Sequence, residues 1–317
     1  MGESTNKDKN KMKCIKCIYI FRQLIDNLKE VRLLKLIKYN KKLQKKLNLN
    51  ITNYMDFQKI KIELNTFNAG IKNFFIGMPI FKRSFFHIYF GDDKNEIKKN
   101  YFTTNENVTK ITILIDRGID SLRKLFSDCK CIEKVNFIRF NRNDIKSMDH
   151  MFYYCTSLKE INFANFNSDK VNNMSSMFEG CSKLKKLNLN SFNTSKVTDM
   201  NYMFFECSSL EELNLNTFNT SNVTDMSYMF TGCSSLEELN LKNFNNEEVT
   251  TMREMFSGCS SLKDLNISNF ITDNVTNMSS MFSRCASLND NVFDMSEMFN
   301  ECFLLKELKI KNIKTLV

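Results

Sequence analysis

Glycine, proline and histidine are scarce in this chain of 317 residues, and tryptophan is absent. With eight glycines, loops that wrap backbone N–H groups around a phosphate are not expected, and neither a Walker loop nor a Gly-rich dinucleotide turn occurs. The two histidines, His87 and His150, lie far apart in different contexts. No Ser/His/Asp or Cys/His set and no zinc spacing is therefore visible. No apolar run reaches the roughly 18–20 residues of a membrane span. The longest N-terminal one, Cys17–Phe21, is too short for a signal-peptide core. Met1-Gly-Glu-Ser-Thr-Asn6 departs from a myristoylation start at its sixth residue, and Cys14-Ile-Lys-Cys17 is a lone pair without a second. Eleven cysteines without a secretion signal fit a reducing interior, which makes the cytoplasm the expected location and the cell surface the alternative.

What the chain has in quantity is repetition. Cysteine stands at positions 129, 155, 181, 207, 233, 259 and 285, a constant step of 26 residues, and a fixed step of that size marks a repeat array. Within the copy Val223–Phe244, Val223, Met226, Met229, Phe230 and Cys233 fall at helical spacing, whereas Leu-Glu-Glu-Leu-Asn-Leu241 ends in the alternation of a short strand. Gly180, Gly232 and Gly258, each just before its Cys, suit a left-handed residue closing a helix. The unit reads as strand, turn, short helix, turn. It is too small to bury a core alone, and stacking shares one between neighbours. The expected fold is an α/β repeat solenoid, a leucine-rich-repeat-like right-handed horseshoe with parallel concave strands and short helices. Cys181, Cys207, Cys233, Cys259, Met203, Met229, Met255, Phe204, Phe230 and Phe256 are its core ladder. The cysteines are expected as buried free thiols.

Binding is expected on the concave face. Asn162, Asn188, Asn214, Asn240 and Asn266, in line with Asn136, should form an amide ladder there, flanked by acidic residues that include Glu212 and Glu238. A second column, Asn141, Asn167, Asn193, Asn219 and Asn245, is expected to bond turn backbone between rungs. Identical rungs argue against catalysis, which needs unlike groups converging on one point. Neither enzymatic activity nor a cofactor or metal is expected.

Charge is lopsided. Residues 1–50 hold 14 Lys and Arg against 4 acids, and residues 129–317 hold 19 against 23. Residues 1–57 read as a basic helical segment, with an anionic contact possible over 32–46 but no motif for specific nucleic-acid binding. Residues 58–118 read as a small β-rich cap, with strands at Ile60–Leu64, Phe85–Phe90 and Val108–Ile115 and the single proline, Pro79, between two of them. The last of these strands is expected to start the array, residues 119–317. Cys285 and Cys302 are 17 residues apart, nine short of a full step, which locates a truncated last unit after Asp290.

The string NFNTSNVTDMSYMFTGCSSLEELNL resembles the repeat of the BspA-like leucine-rich-repeat family, which includes mycoplasmal lipoproteins and protist proteins, over residues 119–310. The resemblance implies a non-enzymatic surface or recognition protein. This chain departs from bacterial members in that Cys14 lacks a small apolar lipobox before it. The stretch IFRQLIDNLKEVRLLKLIKYNKKLQKKL resembles an F-box helical module without its usual prolines or tryptophan. The expected function is a protein–protein interaction scaffold binding an unidentified protein through the concave face. A surface adhesin, or a ubiquitin-ligase substrate receptor docking an adaptor through residues 14–50, are the alternatives.

Overall fold

The computed structural model describes Lys41, Asp56 and residues 58–77, 84–140, 142–163, 166–267, 270–271 and 273–288. The chain divides into two compact units, Met1–Gln58 and Lys59–Val317. The expected basic helices, the 32–46 patch, the F-box-like stretch and the truncated last unit lie outside the described residues, apart from the few N-terminal positions just named.

The second unit begins with β1 (Ile60–Thr66), β2 (Lys72–Phe74), β3 (Phe86–Phe90), β4 (Tyr101–Thr103) and β5 (Lys110–Ile115). Alternating Ile60, Ile62 and Leu64 of β1 and Ile111, Ile113 and Ile115 of β5 are fully buried, as half-buried strands require. Next come β6 (Ile132–Arg139) and five strands of three residues each. These are β7 (Glu160–Asn162), β8 (Lys186–Asn188), β9 (Glu212–Asn214), β10 (Glu238–Asn240) and β11 (Asp264–Asn266). The main sheet has the order β3-β5-β1-β6-β7. In sequence Val108–Ile115 leads into the first turn segment, which joins the stack at Ser121↔Ser147, but in the sheet β1 separates β5 from the repeat strands. The first repeat strand is β6, antiparallel to β1 on one edge and parallel to β7 on the other.

From Ser121 onward the 26-residue units stack as rungs. On the strand side they pair two by two, β6 with β7, β8 with β9 and β10 with β11, in registers such as Leu187↔Leu213 and Leu239↔Leu265. Among the described residues this is not the continuous concave sheet expected. The unbroken connection runs on the other side, through parallel bridges Ser121↔Ser147↔Asn173↔Asp199↔Asp225↔Thr251↔Asn277.

That other side also corrects the helices: the described residues between 58 and 288 contain no α-helix. In the rung of Cys207, Met203 N–H bonds Met200 O at 3.3 Å and Cys207 N–H bonds Phe204 O at 3.1 Å. Each closes a four-residue turn whose third residue is left-handed, Tyr202 at φ 56° and Glu206 at φ 54°, the type II arrangement. A left-handed residue at every fourth position forbids a continuous right-handed helix. It also turns alternate N–H groups outward along the stack. Met200, Tyr202, Phe204 and Glu206 donate to Asp225, Ser227, Met229 and Thr231 of the next rung at 3.3, 3.0, 2.9 and 2.7 Å. The backbone is thus satisfied between rungs instead of within one. Gly180, Gly232 and Gly258 are left-handed, at φ 72°, 74° and 73°, but they close turns, not helices.

The apolar spacing put the right side chains inside nonetheless. Cys181, Cys207, Cys233, Cys259, Met203, Met229, Met255, Phe204, Phe230 and Phe256 are all fully buried. Phe126, Phe152, Phe178, Phe204, Phe230, Phe256 and Phe282 form one column. Its neighbouring ring centroids are 5.4, 5.6, 5.7, 5.5, 5.6 and 5.3 Å apart. Offset stacking at such distances adds about 0.5–1.5 kcal/mol per pair beyond burial.

Candidate partner-binding surface

The strand side presents the residues singled out for binding. Each three-residue strand buries or half-buries its middle residue and exposes both ends. Asn162, Asn188, Asn214, Asn240 and Asn266 are the exposed last residues of β7 to β11, and Glu212 and Glu238 the exposed first residues of β9 and β10. The pairing registers set Asn188 beside Asn214 and Asn240 beside Asn266.

The expected amide ladder does not form at the three central positions. Asn188, Asn214 and Asn240 each use Oδ1 to accept the N–H two residues on, from Asn190, Asn216 and Lys242, at 3.0, 2.9 and 3.1 Å. These are Asx-turns, which use the carbonyl at the corner after the strand and leave the amide N–H donors facing outward. The second column behaves the same way. Asn167, Asn193, Asn219 and Asn245 accept from Asp169, Ser195, Ser221 and Glu247 of their own rungs at 3.0, 3.1, 3.0 and 3.0 Å. They do not bond turn backbone of a neighbouring rung as expected.

That task falls to the next residue, which the sequence pattern does not single out. Thr194 Oγ1 donates to Asn219 O at 2.8 Å and accepts Asn219 N–H at 2.7 Å. Ser168 makes the same double contact with Asn193 at 3.0 and 2.8 Å, and Thr220 donates to Asn245 O at 2.6 Å. These side chains are 1% exposed. Their signal is a small polar residue recurring directly after the Asn, a residue type that is seldom buried.

The cysteines are more than small hydrophobes. From Cys155 to Cys285 each thiol of the column donates to the Phe carbonyl 29 residues earlier, Cys207 to Phe178 O at 3.1 Å and Cys233 to Phe204 O at 3.2 Å, with Cys155, Cys181, Cys259 and Cys285 alike. The described cysteines are free and buried. Burial pushes the Cys207 and Cys259 thiols up to about 12. They therefore stay protonated, as a donor must.

Charge on the strand side is largely answered across rungs. Lys159 reaches Glu133 at 2.6 Å, Lys134 reaches Glu160 at 2.7 Å, Lys185 reaches Glu211 at 2.7 Å and Lys263 reaches Glu237 at 2.8 Å, with Lys186 on Glu212. Such exposed pairs contribute about 0–1 kcal/mol each. Among the described residues Glu238 and Asp264 have no ion pair. They line, with Leu239, Asn240, Leu265 and Asn266, a shallow hollow of about 220 Å³ between β10 and β11. Where β5 runs into the repeats, buried Arg142 ties the loop down. Its guanidinium donates to Asp116 O at 2.7 Å and Arg117 O at 3.1 Å, and to Ile119 O. Its Nε meets Asp144 at 2.8 Å.

The described residues hold no group of three or more His, Cys, Asp or Glu placed to bind a metal. None of their helices is long and apolar enough to cross a membrane.

No curated protein matches the chain. The family described as BspA type leucine rich repeat region (6 copies) matches residues 50–173. The one described as Mycoplasma protein of unknown function, DUF285, matches residues 120–238 and 209–312, more than half of the 317 residues. With cross-rung bonds recurring at the same 26-residue step, the chain belongs to the DUF285 family, and its repeats are of the BspA leucine-rich type.

Proposed function

We propose that the chain is a non-enzymatic protein-binding scaffold whose rungs wind as a solenoid and whose strand-bearing face takes a polar or basic partner. The observation that carries this reading is the register of exposed alike groups: Asn188 beside Asn214, and Glu238 beside Asp264 and Asn240 beside Asn266 around the hollow. Aligned amide donors and unneutralised carboxylates match the carbonyls and cationic side chains of a polypeptide. Like groups on successive rungs suit an extended contact and not a reacting centre. The family's repeats support a recognition role. A reducing, cytoplasmic compartment belongs to the same reading, since the cysteine column works only with unpaired thiols able to donate between rungs.

The test is affinity capture with the full chain and its Glu212→Lys/Glu238→Lys variant. Both positions are exposed, so stability should shift by less than about 0.5 kcal/mol. At least one partner recovered with the native chain should be lost with the variant. Recovery of the same partners in the same amounts would refute the strand face as the binding surface.

A further inference from the structure

The outward side of the turn segments is not uniform along the array. Around the rungs of Cys181, Cys207 and Cys233 it carries large rings. Tyr202 and Tyr228 hold the same left-handed position on adjacent rungs, at φ 56° and 61°. Their rings therefore stack at 4.5 Å and 14°. Phe205 closes on both, 5.3 Å from Tyr202 and 6.4 Å from Tyr228. Two repeats before Tyr202, in the rung of Cys155, the Tyr154 ring lies over Gly180 of the intervening rung, where an added Cβ would meet it at 2.9 Å. Its hydroxyl reaches across that rung to donate to Glu206 Oε2 at 3.2 Å. The backbone bonds Tyr154 N to Glu179 O and Gly180 N to Phe205 O, both 2.7 Å, fix these side chains as one surface. The rings are half-buried and Glu206 is exposed.

The charge on this surface has one sign. Burial, with Glu206 and Glu179 adding to it, pushes the Tyr154 hydroxyl up to about 12. Burial raises the Glu179 carboxyl too, and Glu206 beside it acts in the same direction. Among the described residues a cation meets these rings at the far edge. Arg253 lies 5.7 Å over the Tyr228 ring, with its Nε 3.2 Å from Glu254. A guanidinium on a tyrosine face beside a carboxylate is thus already realised once. The same elements recur unfilled around Tyr202, Phe205, Glu206 and Glu179.

We propose that this outward surface docks an arginine-bearing basic segment of a partner protein, the guanidinium lying on Tyr202 and Phe205 and pairing with Glu179 and Glu206. Arginine fits better than lysine because its planar, weakly hydrated cation stacks on a ring and still bonds carboxylates in its plane. The half-buried Glu179 carboxylate also gains more from an incoming cation than a fully solvated one. The surface is separate from the strand face, and the two assignments can fail independently.

Fluorescence anisotropy with the full chain tests it, using a fluorescein-labelled peptide of alternating glycine and arginine and matched peptides with lysine or citrulline in place of arginine. The arginine peptide should bind, the lysine peptide more weakly, and the citrulline peptide not measurably. Glu179→Gln/Glu206→Gln, and separately Tyr202→Asn, should each weaken arginine-peptide binding roughly tenfold or more. Asparagine tolerates the left-handed backbone at that position, so the rung should keep its turn, with an unchanged circular dichroism spectrum and a single cooperative thermal transition as the check. The Glu212→Lys/Glu238→Lys variant should bind the peptide as the native chain does. Equal binding of arginine and lysine peptides would mean diffuse charge attraction and overturn the proposal. So would native-like binding by both turn-side variants, or no arginine-peptide binding at all.

Discussion

The two sides of a rung solve the same backbone problem differently. On the strand side, three residues per rung pair with one neighbour, and exposed ion pairs such as Lys185–Glu211 at 2.7 Å span the rungs. On the turn side, four N–H groups per rung reach the next one, bridges continue without a break from Ser121 to Asn277, and thiols and phenyl rings column beneath them. The contrast teaches that rigidity and display are separated. The turn side is tied by buried donors with no substitute in water, and an unmade bond there costs about 1–3 kcal/mol. The strand side is tied by solvated contacts that contribute little, so its exposed residues can vary without loosening the stack.

Alkali should break this comparison most widely, because it acts on the turn side through every rung at once. A thiol whose pKa is raised on folding keeps its proton in the native chain while the unfolded chain loses its own. Its stabilisation is complete below the unfolded value of 9.0 and drains as pH climbs toward the folded value, about 12 for Cys207 and Cys259. Each such thiol should remove about 1.4 kcal/mol per pH unit in that window. Cys129, Cys155, Cys181 and Cys233 are shifted upward by the same burial. Urea unfolding between pH 8 and 10.5 should therefore show a steep loss of stability. Cys207→Ala/Cys233→Ala should flatten the slope by about two thiols' share while lowering stability at pH 7. An unchanged slope would mean that the thiols are solvated.

A single-site break is Thr194→Val. The shape is kept, but the N–H and C=O of Asn219 lose the buried hydroxyl that serves both. The loss should be about 1–3 kcal/mol, since water reaches part of what the hydroxyl served. Thr194→Ser should restore most of it. A Lys185→Ala change on the strand side should stay within about 0.5 kcal/mol. Comparable losses at the two sites, read from urea midpoints, would erase the distinction between the sides.

How far the sequence carries this picture depends on what each signal encodes. The 26-residue step and the Met, Phe and Cys offsets report burial, and burial is where they succeed: Met203, Phe204 and Cys207 are all inside. Offsets of 0, 3, 6, 7 and 10 do not report where N–H groups point. A helix and two consecutive type II turns bury the same positions, and the deciding fact is the left-handed backbone at Tyr202 and Glu206. Neither residue type advertises it. Asparagine at the strand ends is legible as exposed. That its Oδ1 serves its own corner is not legible, because an Asx-turn and an inter-rung ladder draw on the same residue. Arg142 stands outside any periodicity, and only the folded chain reveals the carbonyls it gathers.

Two small substitutions sharpen the comparison at its finest point, since their signs depend on the left-handed turns. At Gly258, φ is 73° and an added Cβ would meet only Gly232 backbone at 3.5 Å, an ordinary contact. Gly258→Ala should therefore cost about 1–2 kcal/mol through conformation alone. Ser280 occupies the earlier left-handed position of its rung at φ 55°. In a helix, Ser280→Gly would lower stability by a few tenths up to about 0.5 kcal/mol. In a type II turn, relief of the left-handed penalty offsets the greater freedom of glycine in the unfolded chain. Ser280→Gly should then be neutral or stabilising by up to about 1 kcal/mol. A thermal or urea midpoint that falls with Ser280→Gly would return the outward side to helices, and one that holds or rises places the strain of each rung in its turns.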